Sequence, residues 1–433
     1  MNNPYAYKRD NTLATGFLVV EVRTDPAFGP SIPVRGVNII VSRTINSQTQ
    51  IIEEAITDEA GQTVTFELEA PPEVLSQEEF NEQRPYATYT IEATSNDYVS
   101  VVVSGTQIFA NVKSIQSINL VPKEELSTSE NIHTDVIENI NIEPSTLYGD
   151  YPPKIPEREI KDVAGTGFIV LSEVVVPEFV IVHAGSPNVN NAPNYTVRYK
   201  DYIKNVASSE IYPTWPRECI KANVIAINSF TLNRVYTEWY RNQGKWFTIT
   251  NSTAFDHAFV YGRDIFDSIS QIVDEIFDIY VKRPGVLQPL LTQYCDGRYS
   301  SCPNWMTQWG SKALADDGLS AEQILKFYYG NDIQILSAPT VQGIPESFNG
   351  VTLKVGSSGA AVRTIQQQLN RIAQVYSNIP KVASDGVYGQ STADAVRAFQ
   401  KTFHLTQDGM VGKSTWYKIS EIYVAITKIA ALI

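Results

Sequence analysis

Glu210 is the side chain whose type and setting best suit it to chemistry. It follows Val206-Ala-Ser-Ser and is followed by Ile211, Tyr212, Pro213, Thr214, Trp215 and Pro216. A lone carboxyl thus enters an aromatic loop that two prolines stiffen. Burial beside such rings favours the neutral carboxyl, and a neutral carboxyl near pH 7 is a general acid. Glu218 is the rival. It opens the long apolar helix that follows, where the helix dipole favours the ionised form, the wrong state for a proton donor. About ninety residues on, Met306-Thr-Gln-Trp-Gly310 adds an amide and an indole. Candidates to position a substrate are Asn251, Ser252, Thr253, Tyr261, Tyr294, Asp296, Gln308 and Trp309, the last as a flat aromatic face on which a ring can stack. Cys295 and Cys302, with His257 as the nearest histidine, make too sparse a set for a four-ligand zinc site. Free thiols, a local disulfide and a structural metal stay open for them, and no cofactor is expected.

The elements that must hold these groups belong to a long chain of 433 residues, which implies several domains. With 43% hydrophobic and 19% charged residues it reads as folded, and a net charge of −13 argues against nucleic acid as a partner. No run of 18 apolar residues occurs, so no membrane partner is expected. The first ten residues lack the apolar core of a secretory signal; the expectation is synthesis in the cytoplasm of the producing cell. Three cysteines are too few for a disulfide scaffold.

Residues 1–125 read as a β-sandwich. Short β-branched or alternating runs at 16–22, 37–42, 63–68, 87–93, 98–103 and 117–121 carry no helix signal between them. Residues 126–165 are polar and punctuated by Pro144, Pro152, Pro153 and Pro156, the composition of a linker open to proteases. Residues 166–340 read as mixed α and β. A strand is expected at 178–183 and a buried helix over 216–240 with Pro216 in its first turn. A second helix is expected behind an Asp264 cap, running to Pro284-Gly285. A third is expected behind the capping box Ser320-Ala-Glu-Gln323. Residues 345–433 carry a repeat: Asp385-Gly-Val-Tyr-Gly-Gln-Ser-Thr392 recurs as Asp408-Gly-Met-Val-Gly-Lys-Ser-Thr415. Glycine turns with Ser or Thr at the next helix start give three short helices. His183 and His404 read as core or surface residues.

The repeat, with Leu353, Val362, Ile365, Gln366, Leu369, Ala395, Phe399 and Gln400, resembles the three-helix peptidoglycan-binding domain of wall hydrolases. The middle region resembles the lytic transglycosylases of the stage II sporulation protein D family, in which a Val-Ala-x-Glu-Met loop precedes a helix opening Glu-Ala-Leu-Lys-Ala. Here these stand as Val206 to Ile211 and Glu218 to Ala222, and the family's Met-Ser-Gln-Trp-Gly segment as Met306 to Gly310. Two segments depart from the family: 250–262 is altered, and the Gly-His-Gly stretch is replaced by Ser301-Cys-Pro-Asn-Trp305. The domain order resembles that of the clostridial spore cortex-lytic enzymes.

This resemblance implies a precursor made in the mother cell and stored at the spore cortex or coat. A subtilisin-like germination protease would activate it by removing the N-terminal part, near Val170 here. It implies cortex peptidoglycan as substrate and Glu210 as the acid/base. An N-acetylmuramoyl-L-alanine amidase, or a wall-binding spore protein without catalysis, is the alternative.

Overall fold

Alternation of side chains builds the N-terminal region. In β4 (Phe66–Ala70) and β5 (Ala87–Thr94) buried and outward-facing residues alternate strictly, because successive side chains on a strand point to opposite faces. With β1 (Ala14–Thr24), β2 (Asn38–Ile45), β3 (Gln48–Ile56), β6 (Ser100–Ile108), β7 (Lys113–Leu120) and β8 (Ile137–Asn141) they form two sheets. The orders are β13-β7-β1-β4 and β3-β2-β5-β6-β8, where β13 (Ile265–Phe266) comes from the middle of the chain. Leu18, Val20, Phe66 and Ile118 of one sheet meet Ile39, Ile91, Val101 and Val103 of the other in a common core. The computed structural model describes residues 13–28, 30–126, 137–148, 171–300 and 302–427.

Three strands exceed the six expected runs: β3 within residues 1–125, and β8 and β13 beyond them. β8 lies in the stretch expected as linker and pairs in parallel with β6. Ile142 behind it is buried in the sandwich core, whereas Leu147 is buried in the core of the middle region, so residues 137–142 belong to the sandwich and the chain after them packs on the middle region. The prolines at 152, 153 and 156, and Val170, lie outside the described residues. β13 pairs antiparallel with β7, Ile265 opposite Ile115 and Phe266 opposite Ser114. This overturns the helix expected behind an Asp264 cap. A strand takes Ile265 and Phe266, the helix runs only over Asp267–Ile276, and Tyr280 lies in another strand. Pairing to a remote sheet edge outweighs the local helical period.

The middle region is arranged around one buried helix. β10 (Phe179–His183) lies between β11 (Asn194–Arg198) and β12 (Ile249–Thr250), with β9 (Val175–Val176) just before it paired to β18 (Thr340–Val341). α1 (Tyr199–Glu210), α3 (Asp267–Ile276), α4 (Gln308–Asp316) and α5 (Ala321–Tyr329) pack on α2 (Arg217–Tyr236), as does β14 (Ile279–Lys282), which pairs with β17 (Gln334–Ser337). β15 (Tyr294–Cys295) and β16 (Met306–Thr307) pair in parallel. α2 is buried almost all round, as its sequence implies. Its polar residues reach out to the surrounding loops: Asn228 donates to the Ile276 carbonyl at 2.9 Å and Asn233 to the Pro289 carbonyl at 2.7 Å. The capping box at Ser320 and Gln323 is formed as expected.

The C-terminal helices α6 (Ala360–Ile372), α7 (Gln390–Thr402) and α8 (Lys413–Thr427) carry the repeat. The Gln366 amide donates to Asp385 and Thr392 and accepts from the Gly386 N–H. Gln400 does the same with Asp408, Thr415 and Gly409. Thr392 and Thr415 are thus acceptors for a buried glutamine and not helix caps. α8 is tied to α1 and α3 through buried charges: Lys204 meets Asp274 at 2.8 Å, and Lys200 bridges Asp274 to Glu421.

Candidate active site

Glu210 ends α1, and the helix period put it where it lies. Tyr199, Tyr202, Ile203, Val206 and Ala207 form the buried stripe, and Glu210 is the next position on it. The helix stops there because Ile211 is extended and Pro213 follows. Glu210 is therefore a helix residue and not a loop residue, with 0% exposure. It sits at the end of the helix where the dipole works against a negative charge.

Two remote segments meet its carboxyl. The backbone N–H of Ala258 donates to Oε1 at 2.7 Å, and the Gln308 amide donates to Oε2 at 3.3 Å. α1 is zipped to the loop carrying Ala258. The Tyr202 hydroxyl lies 2.9 Å from His257 Nδ1, and Asn205 exchanges two hydrogen bonds with the Val260 backbone. That loop is fixed from below by Asp256. It accepts from Arg234 Nε at 2.9 Å, from the Tyr240 hydroxyl at 2.6 Å, and from both the backbone and hydroxyl of Thr250. Burial pushes the Tyr202 hydroxyl well above its ordinary range, and the negative charge of Asp256 adds to this.

Gln308 and Trp309 arrive together at the start of α4. Thr307 caps that helix by accepting from the Gly310 N–H at 3.2 Å. Gly310 is required there: a Cβ would collide with Thr307 and the Tyr328 hydroxyl. Trp309 packs 4.9 Å from Trp215 and edge-on to Tyr212, and Tyr212 packs edge-on to Trp215. The aromatic setting expected from sequence is present, but Trp309 is 6% exposed and offers no open face. Its Nε1–H has no partner among the described residues.

The other sequence candidates divide. Tyr294 is buried and stacks on His257 at 5.8 Å, within this pocket. Asn251, Ser252 and Thr253 form the turn before Asp256: the Asn251 N–H donates to the His183 carbonyl, and the Ser252 carbonyl accepts from Phe255 and Asp256. Asp296 organises its own loop, accepting from the Tyr299 and Ser300 N–H groups, so it is taken up structurally. Tyr261 stacks on Tyr195 at 4.5 Å. Glu218 accepts from the Ala321 N–H at 2.9 Å and holds Lys221. Those contacts lower its carboxyl below the ordinary range, the Ala321 bond foremost. Cys295 and Cys302 form a disulfide, Cα atoms 6.0 Å apart, which decides among the three states the sequence left open for them. Among the described residues no group of three or more His, Cys, Asp or Glu is placed to hold a metal ion. His183 stacks on Phe247 in the core, whereas His404 meets Glu21 of the sandwich at 2.9 Å.

The sequence reading did not foresee Tyr202, Asn205, His257 and Ala258. The only available signal was a carboxyl, Glu210, on the same helical stripe as Tyr199, Ile203 and Val206.

The N-terminal region contacts residues that precede and follow Glu210 in sequence. The Ser145 and Thr146 hydroxyls donate to the Ser209 carbonyl. Trp215 Nε1 donates to the Ser76 carbonyl, Gln77 to the Thr214 carbonyl, and Phe109 packs 5.6 Å from Tyr212. Tyr86, Phe109, Val112 and Leu147 belong to the same core as α1 and α2.

Comparison with known proteins locates one family and several distant relatives. Residues 358–419 match the peptidoglycan binding domain family. The chain is 25% identical over 217 residues to the N-acetylmuramoyl-L-alanine amidase CwlL of Bacillus licheniformis, covering 49% of this chain and 56% of that protein. A probable N-acetylmuramoyl-L-alanine amidase of the same organism is 27% identical over 196 residues, 44% of this chain and 50% of that one. The chain thus spans about half the length of these curated relatives. Among solved structures, the SleB N-terminal domain aligns over 18% of this chain and 99% of its own length, with 30% identity and a TM-score of 0.16.

Proposed function

We propose that this chain is the precursor of a peptidoglycan-degrading lytic transglycosylase of the spore cortex, of the SleC type. The observation that carries the reading is the buried Glu210 carboxyl, held between the Ala258 N–H and the Gln308 amide. It does so in a chain whose residues 358–419 match a peptidoglycan binding domain. The Glu210 proton passes to the glycosidic oxygen as the bond from C1 of N-acetylmuramic acid breaks. The muramic 6-hydroxyl attacks C1 and returns its proton to Glu210. The products are a 1,6-anhydro end and a free 4-hydroxyl on N-acetylglucosamine. Because the substrate supplies the nucleophile, one carboxyl serves both steps.

The sandwich is read as the restraint. Its bonds to Ser209, Thr214 and Trp215 flank the acid, so a glycan reaches Glu210 only once that cover shifts. Proteolysis between the sandwich and the middle region by a subtilisin-like germination protease is the proposed trigger. Storage at the spore cortex is the proposed location.

A second reading, an N-acetylmuramoyl-L-alanine amidase, is favoured by the names of the two half-length relatives. The two readings break different bonds. Cortex digested with subtilisin-treated protein, resolved by mass spectrometry, should release anhydro-muropeptides, and Glu210→Gln should reduce them by about 10²–10⁴-fold. Free stem peptides in place of anhydro ends would establish the amidase instead. Binding with no released product would leave a wall-binding protein.

A further inference from the structure

We propose that Gln308 is a positioning residue that serves Glu210 in both of its protonation states by turning its amide. This inference rests on the transglycosylase reading above. Gln308 is 0% exposed. Its Nε2 faces Glu210 Oε2 at 3.3 Å, while its Oε1 is buried without a partner among the described residues. A buried carbonyl oxygen left unpaired is destabilising, so something must offset it in one state of the site. The other carboxyl oxygen, Oε1, accepts from the Ala258 N–H. We place the Glu210 proton on Oε2, the oxygen that faces Gln308. When it is there, the amide turned by half a rotation presents its oxygen to that O–H. When the proton has left for the leaving sugar, the amide turns back and its N–H meets the carboxylate. Glutamine carries both functions on one carbon at nearly equal reach. The ionisable groups about this pocket are Tyr202 and Glu210 on α1, His257 and Asp256 on the loop, and Tyr294 on β15. Arg234 on α2 is paired to Asp256.

The test compares Gln308→Met and Gln308→Glu with the wild type, each as full-length protein treated with subtilisin, on purified peptidoglycan. Gln308→Met is expected to lower the maximal rate about 10²-fold, with the half-saturating peptidoglycan concentration changed less than about threefold. Gln308→Glu sets a second carboxyl against Oε2, and like charges disfavour joint ionisation. It is expected to keep part of the rate and to move the alkaline limb of the pH–rate profile upward by about one pH unit or more. Thermal melting and peptidoglycan pull-down check that both variants are folded. A Gln308→Met protein with unchanged maximal rate and weaker saturation would make Gln308 a substrate contact and overturn the proposal. So would a wild-type pH profile in Gln308→Glu. If Glu210→Gln itself keeps wild-type release, the transglycosylase reading fails first; if Glu210→Gln is inactive and both Gln308 variants behave as wild type, only this inference fails.

Discussion

The indole N–H of Trp215 donates to the carbonyl of Ser76 at 2.9 Å, joining residues 139 apart in sequence. The bond ties the segment next to Glu210 to a turn of the N-terminal sandwich. Together with Phe109 against Tyr212 and Phe266 it makes the sandwich part of the wall around the acid.

Loosening that wall should release activity without proteolysis. Phe109 is 1% exposed, and Phe→Ala in a core costs about 3–5 kcal/mol. Unprocessed Phe109→Ala is expected to lower the turbidity of decoated spores faster than unprocessed wild type. Equal rates, with a melting temperature that has dropped, would show that the sandwich does not restrain the site.

Glu218 should be dispensable for chemistry. It holds the Ala321 N–H and Lys221 at the surface between α2 and α5, and those contacts keep it ionised. Glu218→Gln is expected to retain anhydro-muropeptide release within about threefold of wild type, the range open to surface changes that leave the reacting groups alone. A loss as deep as that of Glu210→Gln would exchange the two assignments.

Asp264 makes the docked sandwich sensitive to pH. Burial pushes its carboxyl up to about 6 from an ordinary 3.8, against the Arg263 charge and the Gln107 N–H that lower it. A raised value means the folded state holds the proton more tightly, so stability falls as pH climbs from about 4 to 6 and is level above. The loss amounts to about 3 kcal/mol. Glu21 acts in the opposite sense: burial pushes it up, but His404 and Arg23 bring it to about 2, so its contribution is lost only below about 4.5. Melting between pH 4.5 and 7, compared between wild type and Asp264→Asn, reads the Asp264 contribution. Asp264→Asn should be more stable than wild type at pH 7 and should lose this slope; a slope unchanged in Asp264→Asn refutes the assignment.

The Cys295–Cys302 disulfide should steady the loop that leads to Gln308. Its closed loop is short, for which chain entropy gives about 2.5 kcal/mol. The Asp296 carbonyl inside it accepts from the Trp309 N–H at 3.3 Å. Reduction, or the double change to serine, is expected to lower the midpoint of unfolding and the maximal rate while leaving peptidoglycan pull-down intact. An unchanged rate in the double variant would detach the loop from the site.

What the sequence determined by itself was local. The alternation in 87–93 specified β5, the apolar residues covering much of the circumference of 216–240 specified α2, and the Ser320 box specified α5. The repeated Asp-Gly turns specified the C-terminal helices. Each rests on neighbours within a few residues, where period and turn chemistry act. The tertiary structure decided what depends on partners far along the chain. Ile265 and Phe266 became a strand because β7 offered an open edge. Asp264 became an acceptor for Gln107. Residues 137–141 joined the sandwich, and two cysteines found each other. Glu210 drew notice by its aromatic company, yet its helix, its backbone donor at Ala258 and its amide 98 residues away were settled only by packing. A buried polar group must find its hydrogen bonds wherever the fold supplies them, and no pattern of spacing along the chain records where that is.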